Sequence, residues 1–133
     1  MIARMDRTDD PAIATVVVPV RTVSEANRAS SEHWRVRWKR SKAQHAQVWA
    51  ACQSRRIALG KRIETPVHVH LTRLAPRYLD PGNIESSHKY VQDAVAKFLG
   101  VDDGDSGKVT WSYAQEKSKT YAVRIEFYRR SKE

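Results

Sequence analysis

The chain has 133 residues, a length that fits one domain able to bury its own core without disulfides or structural metal. Its hydrophobic fraction of 41% excludes wholesale disorder, and its lone cysteine, Cys52, excludes a disulfide framework and fits a reducing, cytoplasmic compartment. The net charge of +9 draws polyanions, nucleic acid first among them, while no stretch is apolar and long enough for a membrane span or a signal-peptide core.

Residues 1–12 are polar and end on the turn signal Asp9-Asp10-Pro11, which predicts a flexible N-terminal arm before a domain over 13–133. The β-branched run at 15–20 (TVVVPV) predicts a strand, and Pro19 near its end marks an edge position or a strand terminus. A polar connector, Ser24-Glu25-Ala26-Asn27, leads into a helical stretch over 31–53, with Ser30 or Ser31 as its N-cap. Trp34 and Trp38 share one face of that helix. Around them Arg35, Arg37, Lys39, Arg40 and Lys42 form a dense basic block, extended downstream by Arg55, Arg56, Lys61 and Arg62. With few acids nearby, this block is expected to contact phosphate.

The segment 65–74 (TPVHVHLTRL) alternates: Val67, Val69 and Leu71 form an inner face, and His68, His70 and Thr72 a wet one. A Pro-Gly turn at 75–83 follows. Ile84, Val91, Val95, Phe98 and Leu99 then recur at helical spacing, which predicts a helix over 84–99 stopped by Gly100. After an acidic loop at 101–105, Val109, Trp111 and Tyr113 alternate in one strand, and Tyr121, Val123, Ile125 and Phe127 in another. The polar stretch 115–120 reads as a hairpin connection between them. The order β-α-β-α-β-β predicts an α/β (α+β) fold with a single small mixed sheet of about four strands and two main helices packed on it.

Acidic residues gather in the two loops that bracket the second helix: Asp80 before it, and Asp102, Asp103 and Asp105 after it. Each loop on its own reads equally well as a solvated turn. In a chain that attracts phosphate, a carboxylate pocket also makes sense as a Mg²⁺ site, because the cation removes the repulsion between carboxylates and phosphodiester.

Taken together, Leu79-Asp80, Asn83, Lys89, Asp93-Ala94-Val95, Gly100-Val101-Asp102-Asp103-Gly104-Asp105 and the following VTWSYAQEK stretch resemble the RusA family of Holliday junction resolvases of phages and bacteria. Upstream, Glu25-Ala26-Asn27-Arg28 and His33-Trp34 before the basic helix suit the phage-type branch. The resemblance covers most of the chain in order. It implies a homodimer that binds branched DNA, a four-way junction, and nicks two opposing strands with Mg²⁺ (or Mn²⁺) in recombination and repair. A two-fold dimer would present two equivalent sites to two equivalent strands. Carried over by residue, it makes Asp80, Asp103 and Lys89 catalytic, Asp80 and Asp103 metal ligands with Asp102 secondary, and Arg35, Arg37, Lys39, Arg40 and Lys42 DNA contacts. Lys89 and Asp93, four apart, share a helix face and are expected to pair.

Two departures stand out. The second aspartate of the family's D-x-D-N loop falls on Gly82, and the spacing from Asn83 to Lys89 is about one helical turn longer than in the shortest members. The first departure leaves a catalytically impaired binder of branched DNA as the alternative reading, with Glu85 as the nearest substitute acid. An RNA-binding module is a third reading, but the sequence carries no RNA-recognition signature. His68 and His70 are expected to be the wet side of a strand. Trp34, Trp38 and Trp49 are expected to pack in the core or a dimer, with stacking on unpaired bases as the alternative. Cys52 is expected to be packing.

Overall fold

The computed structural model describes residues 11–25 and 32–130. The expected arm lies almost wholly outside the described residues, as do the proposed caps Ser30 and Ser31 and the resemblance at Ala26, Asn27 and Arg28. Five β-branched or small residues form strand β1 (Ala14–Val18). The long helix α1 spans Trp34–Leu59, β2 spans Val67–Ala75, and a single 3-10 turn (Pro81–Asn83) leads into the short helix α2 (Ile84–Ser87). Helix α3 (Lys89–Leu99) and strands β3 (Val109–Lys117) and β4 (Ala122–Arg129) complete the chain.

The four strands form one mixed sheet in the order β1-β4-β2-β3. Strand β1 is an edge, and it ends at Val18, immediately before Pro19. Strands β2 and β3 run parallel, joined by the crossover through α2 and α3. Strand β4 lies antiparallel to both β1 and β2. The expected β3–β4 hairpin is therefore corrected: the two strands flank β2 on opposite sides, and residues 118–121 pass from one side of it to the other. A parallel pairing with β2 leaves β3 as the other edge.

Helices α1 and α3 cover one sheet face. The core unites Val48 and Cys52 of α1, Val91, Ala94 and Val95 of α3, and inward side chains of all four strands, among them Val16, Leu71, Val109, Ile125 and Phe127. Phe98 joins the layers, edge-on to Trp49 and tilted on Phe127. Cys52 is core, as expected, and burial pushes its thiol up to about 12, which keeps it unreactive.

Helix α1 begins at Trp34 rather than at 31, capped by His33, whose Nδ1 accepts the Arg35 N–H at 3.1 Å. It outruns the predicted end by six residues and stops where Gly60 takes a left-handed φ of 73°. Only Gln44, Val48 and Cys52 of its 26 residues are buried, one every fourth position. Its first ten residues contribute no buried side chain, although Arg37, Arg40 and Ser41 are partly covered. The second predicted helix is broken at His88, which leaves helical geometry between α2 and α3 and turns its ring onto Tyr113 at 5.9 Å. The expected wet face of β2 is also corrected. His68 and His70 are buried, hydrogen-bonded to Thr110 and Ser112 of β3, because β2 has a strand on each side. No helix among the described residues is long and apolar enough to cross a membrane.

Candidate functional site

Strand β3 holds the acidic segments in place. Its alternate residues Trp111, Tyr113 and Gln115 point to the helix side, and each grips a different piece of chain. The Trp111 indole N–H donates to the Asp103 carbonyl at 2.9 Å, which fixes the acidic loop. The Tyr113 hydroxyl donates to Gln92 Oε1 of α3 at 2.6 Å. Gln115 embraces the backbone of Leu79: its Oε1 accepts the Leu79 N–H at 2.8 Å, and its Nε2 donates to the Leu79 carbonyl at 2.9 Å. Asp80 is thus held by a side chain that imitates a strand neighbour.

The structure brings Asp103 against Asp93. Gln92 Nε2 donates to Asp103 Oδ2 at 3.3 Å, which sets Asp103 beside the next residue of α3, Asp93. Burial first, and the Asp103 charge second, hold the Asp93 carboxyl above the ordinary carboxylate range. Lys89 and His45 oppose that shift, so both charges reach the pair. Lys89 itself is exposed, with its ammonium 5.7 Å from the centre of the Tyr90 ring, and its charge acts on Asp93, four positions along the helix. Tyr113 is pushed up to about 12 by burial, then by the charge of Glu85, and so remains a donor that sets the Gln92 amide with its NH₂ toward Asp103.

The other predicted ligands stand apart from this pair. Asp80 is exposed at the head of the 3-10 turn, with no capping hydrogen bond from its carboxylate. Its anchor, Gln115, is four residues along β3 from Trp111, the anchor of Asp103, or about 13 Å at strand rise. Asp102 is exposed, and its Oδ1 accepts the Gly104 N–H at 3.0 Å, so it shapes the turn; Asp105 does the same for Gly107. Glu85 is exposed on α2, on the Tyr113 side. Gly82 has ordinary backbone geometry and open space where a Cβ would stand. Among the described residues no three His, Cys, Asp or Glu side chains close on one point. Two neighbouring carboxylates are the kind of oxygen donors that would hold a hard divalent cation, with water and phosphate oxygens as its other ligands.

The basic block divides by role. The Arg40 guanidinium makes paired hydrogen bonds to Glu25 (2.7 and 2.8 Å) and to Glu32 (2.7 and 3.0 Å), which raise its pKa and tie α1 to the segment before it. Arg35 and Lys42 lie over the rings of Trp34 and Trp38 at 5.4 and 5.0 Å. Lys39 is exposed, and Arg37 is half-buried.

Sequence reasoning missed Asp93 as a partner of Asp103, and it missed Gln92, Tyr113 and Gln115 as supports. One signal was available: a glutamine and two aromatics with polar tips occupy alternate positions facing the helices, where aliphatics would normally sit. The chain matches no protein-family model, and no curated protein shows significant similarity to it.

Proposed function

We propose that the protein is a Mg²⁺-dependent endonuclease of branched DNA, resolving four-way junctions by paired nicks as a homodimer in the cytoplasm of a bacterial or phage-infected cell. The observation that carries the reading is Asp103 held at α3 by Gln92, next to Asp93, in a chain of net charge +9 with a largely exposed basic helix. Such a pair repels a phosphodiester unless a cation stands between them. Mg²⁺, or Mn²⁺ in its place, supplies an activated water and neutralises charge on the phosphate. Asp103 and Asp93 would hold the cation; Asp102, in the same loop as Asp103, and Asp80, on the loop before α2, stand apart from the pair and would serve only by moving toward it. Gln92 keeps one Asp103 oxygen oriented, and Lys89 meets charge that develops on the phosphate. Arg35, Arg37, Lys39 and Lys42 hold the duplex arms, while Arg40 braces the helix that carries them.

The resemblance of the sequence to RusA-type resolvases supports the junction as substrate and recombination and repair as the setting. The test is cleavage of a synthetic four-way junction with and without Mg²⁺, alongside Asp103→Asn. Paired nicks that need both Mg²⁺ and Asp103 are expected. Tight junction binding without nicks in either metal would refute the nuclease reading. It would favour the second one, a branched-DNA binder, for which the lack of a third acid around the pair among the described residues and the glycine at position 82 both speak.

A further inference from the structure

Three of the four tryptophans sit on the outside of α1. Trp34, Trp38 and Trp49 are 58, 53 and 43% exposed, so the expectation that they pack in the core fails for this chain. Their spacing, with Lys42 and His45 between them, runs 4-4-3-4, which places all five on one stripe of the helix. The lower part of the stripe opens into a groove lined by Trp38, Ser41, Lys42, His45, Trp49 and Lys97. A chain with few large apolar groups has no structural reason to leave three indoles in water.

We infer that this groove is a stacking platform for unpaired bases of single-stranded DNA. The chemistry favours that occupant. An indole face stacks on any base, and cations beside it meet the phosphates that follow. Here Lys42 already lies over Trp38, and Arg35 over Trp34. Among the described residues no acid lines the groove. A second copy docked on the same face would set Lys42 and Lys97 of both chains against one another with no acid in the groove lining between them, in a protein that carries +9 per copy.

Position adds a second argument. His45, in the groove wall, feels the charges of both Lys97 and Asp93, so the groove lies on the same side of the molecule as α3 and its Asp93. Bases seated on Trp38 and Trp49 would keep the adjoining backbone on that side. The inference rests on the DNA reading above and deepens it: the substrate would carry unstacked nucleotides at or beside the cleaved bond, as the open centre of a branched molecule does.

The experiment is fluorescence anisotropy of a labelled oligothymidylate of about twelve nucleotides, within the span one such platform holds, against a blunt duplex of the same length. The full-length protein is compared with Trp38→Ala, Trp49→Ala and Trp38→Phe, all checked by circular dichroism. Each alanine variant is expected to bind the single strand about tenfold more weakly. Duplex affinity should hold, and Trp38→Phe, which keeps a stacking face, should recover most of the loss. Unchanged single-strand affinity in both alanine variants would overturn the inference. So would sedimentation showing that Trp38→Ala dissociates a dimer while single-strand affinity stays the same, which would assign the face to a second copy. Junction cleavage by the unaltered protein is scored separately. If it fails while the tryptophan effects appear, the nuclease reading falls and the platform stands.

Discussion

The charge of Asp103 acts on Asp93 although the two are ten positions apart and belong to different elements, the middle of α3 and the loop beyond it. Burial and that charge both disfavour an ionised Asp93, so its ionisation destabilises the metal-free fold. The folded pKa of Asp93 lies above its unfolded value, so its contribution to stability is full at low pH. That contribution is lost as pH rises through the folded value.

Asp93→Asn is therefore expected to raise the thermal midpoint at neutral pH without metal, by roughly 4 °C for each kcal/mol of repulsion removed. It should also abolish Mg²⁺-dependent cleavage. Melting curves with and without Mg²⁺, and a junction cleavage assay, check the two halves. A variant less stable than the parent at every pH would show that the pair does not repel.

Gly82→Asp should be accepted by the fold, since open space surrounds the position and its backbone is not left-handed. Stability is expected to change by no more than about 0.5 kcal/mol, as for most surface substitutions. The new carboxylate should lower the Mg²⁺ concentration needed for half-maximal junction cleavage. A Mg²⁺ titration reads the effect, and an unshifted curve would show that position 82 does not reach the metal.

Gln115→Ala removes both hydrogen bonds that hold Leu79, a loss of roughly 1 kcal/mol for each. The Leu79 amide should exchange with solvent faster, and cleavage should fall while junction affinity is kept, because Asp80 is freed without touching the basic helix. Hydrogen exchange at that amide and a binding isotherm separate this outcome from general unfolding.

His88 is fully buried, both ring nitrogens lack a hydrogen-bond partner among the described residues, and burial lowers its pKa to about 3. Its folded value lies below the unfolded one, so stability is full above the unfolded value, near 6.5, and is lost as pH falls toward 3. Each pH unit through that window removes about 1.4 kcal/mol. His88→Phe keeps a ring against Tyr113 and is expected to flatten the acid limb between about pH 6.5 and 4, read from denaturant midpoints across pH.

Arg40→Ala leaves the buried carboxylate of Glu25 without its partner and should cost about 3 kcal/mol of stability. Arg35→Gln and Lys39→Gln should leave the melting midpoint in place and lower the salt dependence of DNA binding, by about 0.9 in log–log slope for each phosphate no longer neutralised. Equal salt slopes for all three variants would contradict this division of the basic block.

The sequence by itself determined the elements of this protein and their inward faces. Alternation in β2, β3 and β4 and the apolar stripe of α3 depend only on neighbours two to four positions away, and Gly100 stops its helix through its own backbone freedom. The two acidic loops and the basic helix were legible for the same reason. Only the tertiary structure decided what met what. Strand order depends on pairing between distant segments, so two consecutive strands that read as a hairpin ended up on either side of β2. That arrangement buried His68 and His70, and it made β3 the edge whose Trp111, Tyr113 and Gln115 fix the acidic loop, Gln92 and the Asp80 loop. Spacing along the helix set Asp93 within reach of the Lys89 charge; packing added Asp103, a neighbour that no local period encodes.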